Sequence, residues 1–296
     1  MNPFDRIIVI FNPTSTGKAP EVAARLAREL GQRLAGVPIE LTPTQRAGHA
    51  RDLAREAAAT GRPLLVSVSG DGGYHEVVDG AMQAGNPDVL CAVMAAGNAN
   101  DHRRATRERP LADAIAAGDV RRIDLLRMTI DRGDAGNGSD TRYAHSYIGL
   151  GLTPVVAVDL EQGGKGSLKE IVSVVRTFAR FRPFSIRLAD GTSRRFDSLV
   201  FANIDQMAKY ATLSEHGRPD DGRFEVITVP HTAKWRVVAT AVKAALRGLG
   251  RQPSARRYEF TTLKPTPLQL DGELLELDAG TSVRVDIAER ALLTVV

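Results

Sequence analysis

Three short polar segments each follow a run of apolar residues and contain groups that could hold a phosphorylated ligand. The first segment, residues 12–18, offers hydroxyl, amide and backbone N–H donors to an anion. Its candidate nucleotide-binding residues are Asn12, Pro13, Ser15, Gly17 and Lys18. It is not a Walker A loop, which has a different glycine spacing and a Ser or Thr after the lysine. Taken alone, this segment is more typical of an ordinary polar turn.

The second segment, residues 69–76, surrounds an acid with glycines. Glycines let the backbone approach a pyrophosphate closely, and a carboxylate holds Mg²⁺ through water, as that ion prefers. A tight turn without a ligand is the alternative. The candidate nucleotide-binding residues here are Gly70, Asp71, Gly72, Gly73 and Glu76.

The third segment, residues 96–101, again follows an apolar run and ends in an acid. Its candidates are Gly97, Asn98 and Asn100 for a nucleotide and Asp101 for a metal ion. Three such segments in one chain indicate a phosphate and metal site better than any one of them.

The elements that must position these segments follow from the pattern of the first 127 residues. Short apolar runs alternate there with longer amphipathic segments, which predicts strand, helix, strand. The runs at 7–11, 64–69 and 89–95 are nearly continuous, as in parallel strands buried under helices on both faces. Ligands in such sheets bind beyond the carboxyl ends of the strands, so the three segments should converge on one crevice.

The pattern changes after residue 127. A Gly- and Asp-rich segment at 132–141 predicts a hairpin turn or a loop near a domain boundary. The rest of the chain predicts an antiparallel β domain with inserted helices at 166–181 and 233–249. The strand candidates lie at 142–150, 184–188, 198–203, 224–229, 257–263 and 267–270.

Composition limits the partners and the compartment. The 296 residues carry a net charge of +4, but the basic residues are dispersed among acids, so no nucleic-acid partner is predicted. The single cysteine, Cys91, stands in an apolar run, which favours a small buried side chain and a reducing cytoplasm. No stretch approaches the roughly 18 apolar residues of a membrane span.

The two predicted helices carry basic faces. One interpretation is a helix docked on its own sheet with a solvated basic face, which is the more ordinary arrangement. The other is a peripheral contact with the inner face of a membrane. Both stay open at this point, and so does a homodimer.

Together the three polar segments resemble the diacylglycerol kinase catalytic-domain family, which includes bacterial lipid kinases and the sphingosine and ceramide kinases. That family carries an Asn-Pro-x-Ser-Gly loop, a Gly-Gly-Asp-Gly-Thr loop followed by Glu and Gly, and a Gly-Thr-x-Asn-Asp loop. The residues in matching places are Asn12, Pro13, Ser15, Gly70, Asp71, Gly72, Glu76, Gly80, Gly97, Asn100 and Asp101. Later matches are Asp124, Asn203 and the sequence Asp271-Gly272-Glu273.

The resemblance implies a fold. It implies an α/β domain with a mainly parallel, Rossmann-like sheet over 1–127, as in NAD kinases and diacylglycerol kinases. It also implies a C-terminal antiparallel β-sandwich over 128–282 that takes the lipid, with residues 283–296 packing back on the first domain.

The resemblance also implies an activity: an ATP- and Mg²⁺-dependent kinase that phosphorylates a hydroxyl of a diacylglycerol-like or related lipid. Asp271 would then be the general base, with Glu273 beside it in the catalytic motif. The metal residues would be Asp71, Asp101 and Asp124 in one network at the nucleotide, and Asp220 and Asp221 at a structural Mg²⁺ site.

The chain departs from the family in its phosphate loops. Ser69 and Gly73 stand where the family has Gly and Thr, and Asn98 stands where it has Thr. Two phosphate-facing hydroxyls are therefore expected to be missing. Two alternatives stay open: an NAD kinase-like enzyme with a soluble substrate, and a nucleotide-binding regulatory module without turnover. The late Asp-Gly-Glu favours the lipid branch.

Overall fold

The computed structural model of the protein describes most of the chain. The described residues are 2–15, 18–96, 100–107, 109–133, 139–151, 183–207, 211–212, 218–233, 236 and 250–296. Gly17, Gly97, Asn98, the predicted helix at 166–181 and nearly all of the one at 233–249 lie outside them. The chain divides into two compact units: unit 1 is Met1–Leu125 with Ala288–Val296, and unit 2 is Leu126–Ile287.

Unit 1 alternates strands and helices. In chain order its elements are β1 (Arg6–Phe11), α1 (Ala19–Arg33), β2 (Ile39–Pro43), α2 (His49–Ala58), β3 (Pro63–Ser69), α3 (Asp71–Gln83), β4 (Leu90–Ala95), α4 (Asp101–Thr106), α5 (Leu111–Ala117), the start of β5 (Val120–Asp131) and the end of β17 (Ser282–Val295). The helices α4 and α5 are too short for a clear amphipathic period, which explains why the sequence pattern did not reveal them.

The strands of unit 1 form a parallel sheet in the order β17, β4, β3, β1, β2. Strand β17 joins this sheet beside β4, where Leu293 pairs with Leu90 and Thr294 with Cys91. The apolar runs are buried on both faces, as the continuous pattern requires, and helix α1 covers the sheet with a fully buried stripe. That stripe is Ala19, Ala23, Leu26 and Leu30, spaced by three or four residues.

Helices α2 and α3 approach each other closely. A Cβ atom at Gly80 would lie 2.1 Å from the carbonyl oxygen of Arg51, a separation that no side chain can adopt. The buried carboxylate of Asp79 pairs with the Arg51 guanidinium, with Nε and Oδ2 2.8 Å apart. Gly80 is therefore needed for the contact between the two helices, and α3 presents its first turn from a fixed position.

Unit 2 is built from antiparallel strands. Beyond the end of β5 its elements are β6 (Ser139–Ala144), β7 (Tyr147–Gly151), β8 (Phe184–Leu188), β9 (Ser193–Ala202), β10 (Gln206–Met207), β11 (Ala211–Thr212), β12 (Phe224–Pro230), β13 (Ser254–Ala255), β14 (Arg257–Thr262), β15 (Thr266–Leu270), β16 (Glu273–Leu277) and the start of β17. The main path of strands is β16, β15, β7, β9, β8, β14, β17, with β12 on β9 and β6 on β5.

The core of unit 2 is a cluster of aromatic and aliphatic side chains. Phe201 is fully buried at its centre, 5.7 Å from the ring of Phe224 in an edge-to-face arrangement and 5.0 Å from the ring of Tyr258. One predicted strand is divided: residues 142–150 form β6 and β7 with a break at 145–146. The break turns the backbone N–H groups of this stretch toward a carboxylate from another hairpin.

The parallel strands of unit 1 and the antiparallel strands of unit 2 confirm the predicted fold class. In the described part of the chain, none of the helices has the length and apolar character needed to cross a bilayer.

Candidate active site

A cavity of about 880 Å³ opens in unit 1 beyond the carboxyl ends of β1, β2, β3 and β4. Its lining comes from the loops that follow these strands and from the first turns of α3. Its lining residues include Asn12, Pro13, Ser15, Arg46, Ser67, Ser69, Gly70, Gly73 and Glu76. Two of the three predicted segments thus meet in one cavity, and the described part of the third contributes Ala96.

The first loop is shaped by Asn12. Its Oδ1 accepts hydrogen bonds from the backbone N–H and the hydroxyl of Thr14, both at 2.9 Å, which forms a local turn. The neighbouring Ser15 Oγ is shielded from solvent and has no hydrogen-bond partner among the described residues. A buried hydroxyl without a partner costs free energy, so this atom is prepared for a ligand oxygen in the cavity it lines. Lys18 is exposed at the start of α1.

The second loop becomes the start of α3. Gly70 precedes the helix and Asp71 is its first residue, where a negative charge is favoured by the helix dipole. Gly72 and Gly73 follow in the first turn, whose N–H groups have no carbonyl partner within the helix. Glu76 accepts a hydrogen bond from the backbone N–H of Gly48 at 3.3 Å, so it also fixes the loop that leads into α2.

The third loop brings a second acid close to the first. Asp101 is the first residue of α4, is buried, and forms an ion pair with Arg104. The backbone N–H of the next residue, His102, donates to Asp71 Oδ1 at 3.4 Å. Asn100 is buried with φ 55°, a left-handed conformation that asparagine tolerates. Asp71 and Asp101 are therefore brought together.

Asp124 lies on β5 within unit 1 and is completely buried. Its Oδ1 accepts the backbone N–H of Arg290 at 2.6 Å, at a point where Arg290 takes a positive φ in β17. Among the described residues, no three His, Cys, Asp or Glu side chains lie close enough together to hold a metal ion directly. A water-mediated network of Asp71, Asp101 and Asp124 stays a prediction.

In unit 2 the Asp271-Gly272 pair forms the two-residue turn between β15 and β16. Leu270 and Glu273 face each other across it, and the turn residues have φ 44° and 104°, as a type I′ hairpin requires. This turn also has a second role, because the Asp271 side chain is completely buried and points at the break between β6 and β7.

Three backbone N–H groups converge on the Asp271 carboxylate. Ser146 and Tyr147 donate to Oδ1 at 3.0 and 2.8 Å, and His145 donates to Oδ2 at 2.7 Å. The imidazole Nε2 of His145 lies 3.4 Å from the same Oδ2, while its Nδ1 is 2.7 Å from Ser146 Oγ. Charge-assisted bonds of this kind stabilise the ionised carboxylate.

Two neighbours of Asp271 were not predicted as site residues from the sequence. His145 and Ser146 are both completely buried, and Asn203 donates from Nδ2 to the His145 carbonyl at 3.1 Å. No motif marks the His-Ser pair, because its importance depends on a hairpin more than 120 residues later. Glu273 forms an ion pair with Arg142, with Oε2 and Nη2 2.7 Å apart.

The predicted structural metal segment lies just before β12. Asp220 and Asp221 are exposed, and Asp221 Oδ1 accepts the backbone N–H of Arg223 at 2.9 Å. Nearby Glu225 is buried, and its burial together with Asp221 and Asp205 raises its pKa to about 7. A cation would relieve this accumulation of negative charge.

The comparisons with known proteins agree with this geometry. Residues 6–128 match the diacylglycerol kinase catalytic domain family. The chain is 27% identical over 296 residues to a probable lipid kinase, YegS-like, from Pseudomonas aeruginosa, covering 97% of this chain and 93% of that protein. It is 30% identical over 203 residues to sphingosine kinase 1 from Rattus norvegicus, covering 63% of this chain and 50% of that protein.

The fold is also found in a solved structure, a diacylglycerol kinase from Bacillus anthracis str. Sterne. That structure superposes with a TM-score of 0.73 at 17% identity and covers 100% of this chain and 98% of that chain. Residues 6–128 therefore match the diacylglycerol kinase catalytic domain, the family that the three loops resemble. The predicted enzyme class, a phosphotransferase with an alcohol acceptor, is confirmed with it.

Proposed function

We propose that this protein is an ATP-dependent lipid kinase. The observation that carries the proposal is the cavity at the carboxyl ends of the parallel strands, because its volume of about 880 Å³ suits a nucleotide and its floor is the start of a helix. The Ser15 hydroxyl, buried and without a partner among the described residues, supports a ligand that brings its own oxygen atoms.

In this proposal unit 1 binds the nucleotide. The loop of residues 12–18 and the first turn of α3 would hold the phosphates through hydroxyls, backbone N–H groups and Lys18. Asp71 and Asp101 would hold Mg²⁺ largely through water, since the described acids form no direct cage. The bound ion would neutralise charge on the transferred phosphoryl group.

Unit 2 would carry the general base. Asp271 is the proposed acceptor of the substrate hydroxyl proton, and the three N–H donors hold its carboxylate in place. Because its carboxylate is completely buried, this role requires the segment 145–147 to open when the acceptor binds. His145 and Asn203 would then position the base without touching the substrate.

The acceptor is proposed to be a lipid with a free hydroxyl, such as a diacylglycerol or a related lipid. The support is the likeness to a protein named as a YegS-like lipid kinase and to sphingosine kinase 1, together with the Asp271-Gly272-Glu273 sequence. A membrane acceptor would require peripheral contact with the membrane surface, which the basic faces predicted at 166–181 and 233–249 would serve.

The test is phosphate transfer from γ-labelled ATP to a panel of diacylglycerol, monoacylglycerol, sphingosine, ceramide and phosphatidylglycerol vesicles, with NAD as a soluble acceptor. Label in a lipid product supports the proposal. Label in NAD alone would assign the chain to the NAD kinase branch. ATP binding without transfer to any acceptor would identify a regulatory module.

A further inference from the structure

Ser69 and Gly73 compete for one space at the floor of the cavity. Ser69 is the last residue of β3 and Gly73 is the third residue of α3. A Cβ atom built at Gly73 would lie 2.6 Å from Ser69 Cβ and 2.8 Å from Ser69 Oγ, both closer than real Cβ atoms come. Gly73 does not have a positive φ, so its backbone conformation does not require glycine. Glycine is required at residue 73 because the Ser69 side chain occupies the space that a Cβ atom would need.

The Ser69 hydroxyl is held in place at this floor. Its Oγ lies 2.7 Å from Ser67 Oγ and donates to the Gly70 carbonyl at 2.9 Å. The side chain is partly exposed, whereas Ser67 is 2% exposed. Both serines line the cavity together with Gly70 and Gly73. The hydroxyl therefore faces the cavity from the strand and stands beside the first turn of α3.

We propose that residues 69 and 73 have exchanged roles, so that Ser69 supplies from the strand the phosphate-binding hydroxyl that was expected on the helix at residue 73. This inference rests on the proposed function, because the ligand is the polyphosphate of ATP in the unit 1 cavity. The sequence led us to expect that this loop lacks a phosphate-binding hydroxyl. We infer instead that the hydroxyl is present at residue 69.

The hydrogen bonds allow the exchange without an unpaired group. When a phosphate oxygen arrives, the Ser69 hydroxyl turns its hydrogen from the Gly70 carbonyl to the ligand. Ser67 Oγ, 2.7 Å away, then donates to Ser69 Oγ, so the two hydroxyls form a chain that ends on the phosphate. A phosphate oxygen is a charged acceptor, which makes this last bond a strong one.

The experiment is a double-mutant cycle with Ser69→Gly, Gly73→Thr and the double variant, measured as the Kd for ATP and as the melting temperature. Gly73→Thr alone places its Cβ against Ser69, so it should weaken ATP binding more than about tenfold and lower the melting temperature. In the Ser69→Gly background the same threonine has room and restores the hydroxyl. There it should strengthen binding about tenfold, to within a few-fold of wild type.

Two further variants separate packing from ligand binding. Ser69→Ala keeps the packing and removes the hydroxyl, so it should raise the KM for ATP roughly tenfold with little change in kcat or in the melting temperature. Gly31→Thr is the matched control, because Gly31 also lies within a helix and a Cβ there meets nothing within 4 Å. It should leave ATP binding and the fold unchanged.

The outcomes are distinct. Wild-type ATP affinity in Ser69→Ala would overturn the role of the hydroxyl, and failure of the double variant to improve on Gly73→Thr would overturn the exchange. If the wild-type protein binds no ATP, the kinase proposal itself fails and the hydroxyl role fails with it. In that case the melting temperatures of the four proteins in the cycle still show whether a side chain at residue 73 fits only when the Ser69 side chain is removed.

Discussion

The acids of the two units are held by different kinds of backbone. In unit 1, Asp71 and Asp101 are the first residues of helices, where the local dipole favours their charge. In unit 2, Asp271 lies in a hairpin turn and receives three N–H groups from a break between two other strands. One kind of acid depends on its own helix, and the other depends on a distant part of the chain.

This difference predicts how each acid responds to substitution. Asp71 is partly exposed beside the cavity, so a neutral residue there should alter ligand binding more than the fold. Asp271 is completely buried, and its oxygen atoms satisfy the backbone of residues 145–147. Replacing it should alter both activity and stability.

The largest expected effect is therefore that of Asp271→Asn. Loss of the proposed general base should lower turnover by about 10²–10⁴-fold, and nucleotide binding should stay nearly intact because Asp271 is not among the proposed phosphate ligands. The amide NH₂ would also face backbone N–H donors, which costs about 1–3 kcal/mol of stability. Steady-state kinetics, ATP binding and urea unfolding measure the three quantities.

Asp278→Asn is the matched control for this variant. Asp278 is also a turn acid of unit 2, but its side chain is 73% exposed and pairs with Arg132 on the surface. It should keep wild-type turnover and stability within about 1 kcal/mol. Turnover within a few-fold of wild type in Asp271→Asn would remove Asp271 as the base, and unchanged stability would remove its role in the strand break.

A second prediction concerns the backbone that positions the acids of unit 1. Gly80→Ala should destabilise the protein by about 1–3 kcal/mol or more, because its Cβ would press on the Arg51 carbonyl between α2 and α3. Gly31→Ala, in an open position of α1, should instead stabilise it by roughly 0.5–1 kcal/mol. Equal melting temperatures for the two variants would contradict the close helix approach.

The alternation of strands with the longer helices of unit 1 and the position of the cavity could be predicted from the sequence, because apolar runs and polar loops are local signals. The contacts that complete the site could not. The exclusion between Ser69 and Gly73 depends on the ångström-scale distance from the end of β3 to the first turn of α3. The N–H groups around Asp271 come from residues 145–147, and the predicted single strand over 142–150 concealed them.

The unit 1 acids can be tested by pairs of alanine variants. If Asp71, Asp101 and Asp124 share one metal–water network, each should weaken Mg²⁺-dependent activity, and pairs should depart from additivity by about 0.5–3 kcal/mol. The His102 N–H already links the Asp71 and Asp101 positions, so this pair should couple most strongly.

Asp124 is the decisive member of that set. Its carboxylate accepts a hydrogen bond from the Arg290 backbone, which would give it a structural role in holding β17. Mg²⁺ titrations of the Asp71–Asp124 pair distinguish the two roles. Strictly additive losses would place Asp124 outside the metal network, while coupling that disappears without Mg²⁺ would place it inside.

The last prediction concerns Glu225 in unit 2, an acid whose pKa is raised by its surroundings. Its pKa is about 7 in the folded protein because of burial and of Asp221 and Asp205, against an ordinary value of 4.5. Between these two pH values the folded state keeps a proton that the unfolded state has released. The free energy of unfolding should therefore fall as pH rises through this window, by about 1–3 kcal/mol.

Glu225→Gln isolates this contribution. The variant should lose the decline in stability between pH 4.5 and about 7 that Glu225 contributes in the wild type. Mg²⁺ should offset the decline in the wild type if Asp220 and Asp221 form the proposed structural metal site, and it should have less effect on the variant. Urea unfolding across this pH range, with and without Mg²⁺, gives both comparisons. Parallel pH profiles for wild type and variant would show that the pKa of Glu225 is not raised in the folded protein. Burial beside Asp221 and Asp205 would then carry no cost for this carboxylate.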